Sequence, residues 1–168
     1  MGKIAFVFAG QGAQSPGMGK ELYEISPAAK AVFDMAEKIR PGTINQCFEG
    51  TAAELALTIN TQPCLFCVDL AAAAALAEKG IHPAMVAGFS VGEIPALAFA
   101  GKLSYEDAFR LVCARAEYMH EAGEKHGGAM FAVIGLEAGA IEEICKGLEN
   151  AFAVNYNSPL QTVVACAK

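Results

Sequence analysis

Gly88-Phe89-Ser90-Val91-Gly92 decides how this chain of 168 residues is read. The apolar segment His82-Pro83-Ala84-Met85-Val86-Ala87 precedes it and reads as a buried strand. Glu93-Ile94-Pro95-Ala96-Leu97-Ala98-Phe99-Ala100 follows and reads as a helix closed by Gly101. A serine flanked by glycines between a strand and a helix has the context of a nucleophile elbow. The glycines let the backbone turn sharply and leave room beside the hydroxyl. Backbone N–H groups at the start of the helix can then hold a developing oxyanion. The same residues support a second reading, because Ser90-x-x-Glu93 before an apolar run is also a capping box.

Outward from the elbow, strand and helix alternate. Lys3 to Phe8 reads as a strand, and Gly10-Gln11-Gly12 follows as a glycine-rich turn. Ser26-Pro27 supplies an N-cap and a first-turn proline for a helix through Val32, Phe33, Ala36 and Ile39. Thr51-x-x-Glu54 caps a short helix through Leu55 and Ile59. Gln62-Pro63 is expected to open a long helix ending at Gly80, and Ser104-x-x-Asp107 starts another that reaches about Glu124. This order implies an α/β fold with an open parallel sheet covered by helices on both faces. At His126-Gly127-Gly128 the character changes. Residues 129–134, 137–148, 151–156 and 161–165 read as strand, helix, strand, strand, the opening of a ferredoxin-like α+β unit. The expected organisation is therefore residues 1–126 as the N-terminal part of a large α/β domain and residues 127–168 as a partial ferredoxin-like subdomain. Unpaired strand edges in such a partial unit invite self-association or completion by a further polypeptide.

Composition narrows the function. An apolar share of 54%, counted without the 17 glycines, fits strands covered on both faces. The longest uninterrupted apolar run, Leu70 to Ala77, is short for a membrane span, and the N-terminus enters a strand too early for a signal peptide. A cytoplasmic protein without membrane partners is expected. Net charge is −6 with 12 scattered basic residues, which argues against nucleic acid as a partner. Cys64-Leu65-Phe66-Cys67 has redox spacing inside an apolar helix and reads as buried small hydrophobes. The other four cysteines, at 47, 113, 145 and 166, add no paired Cys/His spacing, so no metal is expected.

Two further residues bear on substrate. Ala108, Leu111, Val112 and Met119 trace an apolar helix face, and Arg115 falls on it while Arg110 falls on the polar side. A guanidinium turned inward meets either an internal carboxylate or the carboxylate of a ligand, which arginine grips in bidentate fashion. The Gln11 turn lacks the full dinucleotide fingerprint. Its glutamine serves either the turn itself or a substrate carbonyl.

Phe8-Ala9-Gly10-Gln11-Gly12-Ala13-Gln14, Thr61-Gln62-Pro63, Gly88 to Glu93, Arg115 and Asn155-Tyr156-Asn157-Ser158-Pro159 resemble, in order and spacing, the malonyl-CoA:acyl carrier protein transacylase family. The resemblance runs the whole length of the chain. It implies an α/β-hydrolase-like domain with an inserted ferredoxin-like subdomain. It also implies a malonyl group passing from coenzyme A, through a serine ester, to the phosphopantetheine thiol of acyl carrier protein, with no bound cofactor. By that resemblance Ser90 is the nucleophile, the backbone N–H groups of Gln11 and Val91 hold the oxyanion, and Arg115 takes the malonyl carboxylate. Gln62 and Asn155 match positions near the family's site.

Two departures accompany the resemblance. Phe89 stands where the family usually has histidine, and the family's general-base histidine lies beyond the Asn157-Ser158-Pro159 segment, past the end of this chain. His82, His120 and His126 are poor substitutes by position, so the chain is expected to be an incomplete catalytic unit. Two other functions stay open: a serine esterase or thioesterase sharing the elbow, and a non-catalytic family member.

Overall fold

A computed structural model describes residues 2–167. Contacts gather the chain into two compact units, Met1–His120 and Glu121–Lys168. The first contains β1 (Ala5–Phe8), α1 (Lys20–Ile25), α2 (Pro27–Ile39), α3 (Thr43–Glu49), α4 (Ala52–Ala56), α5 (Thr58–Glu78), β2 (Met85–Gly88), a 3-10 turn at Ser90–Gly92, and α6 (Glu93–Phe99). The division falls in the last turns of α7 (Tyr105–His126). The second contains β3 (Ala129–Ile134), α8 (Ala138–Lys146), β4 (Ala151–Ser158) and β5 (Gln161–Cys166).

Helix α5 is the axis of the first unit. Cys64, Leu65, Phe66, Cys67, Leu70 and Ala71 are buried there against Ala29, Val32, Phe33 and Ala36 of α2. Each large side chain so buried contributes about 1.5–3 kcal/mol. By length and composition α5 could cross a membrane, yet most of it is packed inside the unit. The helix starts at Thr58, several residues before the expected Gln62-Pro63 start, and Pro63 lies inside it. Pro63 is the sixth residue of the helix, past the four positions whose N–H groups have no helical partner, so it takes the i+4 donor away from the Ile59 carbonyl. The Thr61 hydroxyl lies within hydrogen-bonding reach of the Leu55 and Leu57 carbonyls at the junction. The Thr51–Glu54 capping box is formed as expected, but α4 ends at Ala56, so Ile59 belongs to α5.

Strands β1 and β2 pair in parallel, with Phe6 opposite Val86 and Phe8 opposite Gly88. Phe6 and Phe8 point to one face, where Ala73 of α5 and Ala96 and Phe99 of α6 cover them. Their rings lie 5.6 and 6.1 Å from that of Phe99. The other face is open among the described residues: Val7 and Met85 are exposed. The segment expected as a buried strand over residues 82–87 therefore begins only at Met85, and its apolar side chains are mostly exposed. Only Val86 lies on the covered side.

In the second unit β5 is central, with β3 and β4 antiparallel on either side. Ile141 and Cys145 of α8 are its buried helical residues, and Thr162 is buried on β5. The chain order is strand, helix, strand, strand. Phe131, Ile134 and Phe152 are exposed.

Candidate active site

The elbow is built from close backbone approaches that only glycine permits. A Cβ on Gly88 would lie 2.2 Å from the Glu93 nitrogen and from the carbonyl of Gly92. One on Gly92 would lie 2.4 Å from the Phe8 oxygen and 2.6 Å from the Ala9 oxygen. The elbow is thus pressed against the end of β1. Phe89 donates its N–H to the Phe8 carbonyl at 3.0 Å, and Gly92 donates to the Phe89 carbonyl at 3.0 Å. The turn forces Ser90 to φ 53°, in the left-handed region that non-glycine residues avoid. Strain of this kind costs roughly 1–3 kcal/mol and persists where the surroundings impose it.

Ser90 does not cap the following helix. Helix α6 has Gly92 at its N-cap and no side-chain cap bond. The Ser90 Oγ instead accepts a long hydrogen bond from Arg115 Nη2 at 3.5 Å. The capping-box reading of Ser90-x-x-Glu93 is therefore displaced by a contact 25 residues away in sequence.

Arg115 sits on α7 beside a buried stripe of Ala108, Phe109, Val112 and Ala116. Ala108 and Val112 of the face traced from sequence lie in that stripe, whereas Leu111 and Met119 are about half exposed. Arg110 is exposed, as its polar side predicts. The Arg115 guanidinium donates through Nη1 to Gln62 Oε1 at 2.6 Å. Gln62 is fully buried, and its Nε2 donates to Met119 Sδ at 3.3 Å. Arg115 makes no ion pair among the described residues. A cation held by a neutral amide beside a hydroxyl keeps its charge available for an anion. Of the two partners expected for an inward arginine, the internal carboxylate is not the one found.

The Gln11 loop closes the same region. Its side-chain Nε2 donates to Thr58 Oγ1 at 3.3 Å, so the amide is turned toward α5. Neither the Gln11 nor the Val91 backbone N–H has a protein acceptor among the described residues. Gly12 adopts φ 115° and donates to Gln14 Oε1 at 2.7 Å, and Ala13 donates to the Gly10 carbonyl at 3.3 Å. Asp69, two turns after Gln62 on α5, lies by the root of this loop. Burial pushes its carboxyl up to about 7, against the Ala9 N–H, which favours the charged form. Its Oδ2 is buried without a partner.

Ser90, Gln62 and Arg115 thus come together in one hydrogen-bonded chain, with Val91 following Ser90 in the turn and Gln11 in the loop after β1. Asn155 lies in the second unit, on β4, exposed and opposite Val163. His82 precedes β2, whose far end leads to Ser90, and lines a surface cleft with Pro83, Met85 and Phe99. Among the described residues no group of His, Cys, Asp or Glu could hold a metal. Cys64 and Cys67 are fully buried, and burial holds the Cys67 thiol well above its usual range. Thr58 and Met119 were not foreseen. Thr58 stands one turn before Gln62, but a helix thought to start at Gln62 concealed that spacing.

The acyl transferase domain family matches residues 5–168. A malonyl CoA-acyl carrier protein transacylase of Bacillus subtilis (strain 168) is 45% identical over 170 residues, covering 98% of this chain and 54% of the relative. The crystal structure of a malonyl CoA-acyl carrier protein transacylase from Clostridium perfringens is 33% identical with a TM-score of 0.91, over 99% of this chain and 54% of that one. A malonyl transacylase solved in complex with the acyl carrier protein of a type II polyketide synthase is 35% identical with a TM-score of 0.91, over 99% and 56%. The chain spans about half the length of the relatives it matches.

Proposed function

This chain belongs to the acyl transferase domain family, and from that membership and the geometry at Ser90 we propose that it forms the acyl-accepting part of a malonyl transferase. The single observation that carries the reading is the Arg115 guanidinium, 3.5 Å from the Ser90 hydroxyl and held by a buried amide instead of a carboxylate. A malonyl thioester has its carbonyl and its free carboxylate separated by one carbon. A nucleophile beside a cation suits both ends of that group at once.

In this reading the malonyl carboxylate takes the outer edge of Arg115, which places the thioester carbonyl over Ser90 Oγ. Attack forms a tetrahedral intermediate whose oxyanion is received by the N–H groups of Gln11 and Val91. Collapse expels coenzyme A as a thiolate, which takes up a proton, and leaves malonate esterified to Ser90. The phosphopantetheine thiol of an acyl carrier protein then attacks the ester, and Ser90 recovers its proton. Among the described residues the polar side-chain partner of Ser90 is Arg115, a cation that does not take its proton, so the proton lost on attack is the one the departing thiolate takes up. Asn155 and residues 127–168 are assigned to the beginning of a ferredoxin-like subdomain.

Mass spectrometry of the intact chain tests the reading. Malonyl-CoA should add one malonyl group to the wild type and none to Ser90→Ala, at least when the C-terminal part of the Bacillus subtilis relative is supplied separately. Arg115→Ala should remove about 2–5 kcal/mol of preference for malonyl over acetyl groups. No adduct under either condition defeats the proposal.

A further inference from the structure

Phe89, within the elbow, carries a half-exposed ring that the chemistry above leaves unused. The residue is 52% exposed. One edge of the ring lies so close to Gly10 that a Cβ there would stand 2.5 Å from Phe89 Cδ1 and 3.3 Å from Cε1, beside the Phe89 carbonyl oxygen at 2.7 Å. Gly10 is buried under it. The backbone of Phe89 is already fixed by its bonds to Phe8 and Gly92. The side chain is therefore not needed to hold the elbow together. What it touches is Gly10, which leads into Gln11, and the Gln11 N–H has no protein acceptor among the described residues to hold its direction. Elsewhere the loop is held by the Gln11 amide on Thr58 at 3.3 Å, by Ala13 on the Gly10 carbonyl at 3.3 Å, and, past Gln11, by Gly12 on Gln14 at 2.7 Å.

We propose that Phe89 is a positioning residue for the oxyanion site: its ring seats the Gly10–Gln11 peptide and so aims the Gln11 N–H at the carbonyl oxygen above Ser90. The inference rests on the transferase reading for its consequence, but not for its structural content. It couples the two halves of the donor pair. Val91 follows Ser90 in the turn, Gln11 follows β1, and the ring of the residue before Ser90 meets Gly10, the residue before Gln11. A free donor that wanders is a poor one, because preorganisation is what gives such groups their catalytic value.

The test compares wild type, Phe89→Ala, Phe89→Leu and Phe89→Tyr in the intact chain, by two readouts. The first needs no substrate: the backbone order parameter of the Gln11 N–H from nitrogen-15 relaxation. It should fall from about 0.85 to below about 0.6 in Phe89→Ala and return in Phe89→Tyr. The order parameters of Phe6 and Phe8 should stay unchanged. The second is single-turnover acylation of Ser90 by malonyl-CoA. Phe89→Ala should lower the saturating rate about tenfold, less than the ~10²–10³ lost when an oxyanion donor is deleted. The half-saturating concentration and the malonyl-to-acetyl ratio should stay constant, with tyrosine restoring the rate and leucine part of it. An unchanged Gln11 order parameter in Phe89→Ala overturns the proposal. So does a change in half-saturation without a change in rate, which would make the ring a substrate wall. If the wild type forms no ester at all, the transferase reading fails while the relaxation experiment still decides this one.

Discussion

Replacing Gln62 by glutamate alters one atom and tests whether the open charge on Arg115 governs substrate choice. Gln62 is fully buried, and its Oε1 receives the guanidinium at 2.6 Å. Glutamate fits the same space. Burial alone would keep its acid protonated, but contact with a fixed cation favours the carboxylate. The resulting ion pair is worth roughly 4 kcal/mol at an effective dielectric near 20 and 4 Å. An incoming malonyl carboxylate would then meet a neutralised cation and a like charge behind it. The expected loss is about 2–3 kcal/mol of preference for malonyl-CoA over acetyl-CoA, or roughly 30- to 150-fold. Calorimetric titration in the Ser90→Ala background reads this as affinity, free of turnover. Acetyl-CoA affinity should hardly move, and circular dichroism should show the fold retained. A folded Gln62→Glu chain with unaltered preference would refute the claim that the guanidinium's free charge selects the acyl group.

Three other perturbations probe the same frame. Ser90→Gly should exceed Ser90→Ala in stability by about 1 kcal/mol in urea denaturation, because only glycine relieves the φ of 53°; equal midpoints would mean that the elbow stores no strain. Gly92→Ala puts a Cβ 2.4 Å from the Phe8 carbonyl oxygen, a backbone atom with nowhere to go, so the melting temperature should drop by roughly 5–10 °C. Asp69→Asn addresses the carboxyl raised from 3.8 to about 7. The folded protein binds this proton more tightly than the unfolded one, so the group's contribution is fully present below about pH 4 and is lost as pH rises through 7. Discounted for partial exposure, the asparagine variant should be more stable by about 2 kcal/mol at pH 8 and equal near pH 4. A gain of the same size at both pH values would assign the effect to packing instead of charge.

The architecture was legible wherever local chemistry set it. The Ser26 and Thr51 caps formed because their partners lie three residues away. The glycines of the elbow signalled tight approaches, and the structure supplies the atoms they approach. Helices α1 and α3 gave no such sign, since each begins after a left-handed glycine, Gly19 or Gly42, with no side-chain cap. Pro63 misled because it reads as a helix start, whereas α5 begins at Thr58. That displacement hid the one-turn spacing of Thr58 and Gln62, and with it the helix edge that holds both Gln11 and Arg115. For Ser90, local sequence alone left capping and catalysis open; the structure removes the capping reading, with Gly92 at the helix cap and Ser90 in contact with Arg115, a residue no window of neighbours contains. The α7 stripe was partly off for a similar reason. Leu111 and Met119 are apolar in sequence, but which side of a helix is covered depends on what packs against it.

The most direct measurement is a crystal structure of the Ser90→Ala chain with malonyl-CoA. The account predicts the malonyl carboxylate on the Arg115 guanidinium, with Gln62 still behind it and the thioester carbonyl facing the Gln11 and Val91 N–H groups. A carboxylate pointing into solvent, or bound elsewhere while Arg115 rests on Gln62 alone, would contradict it.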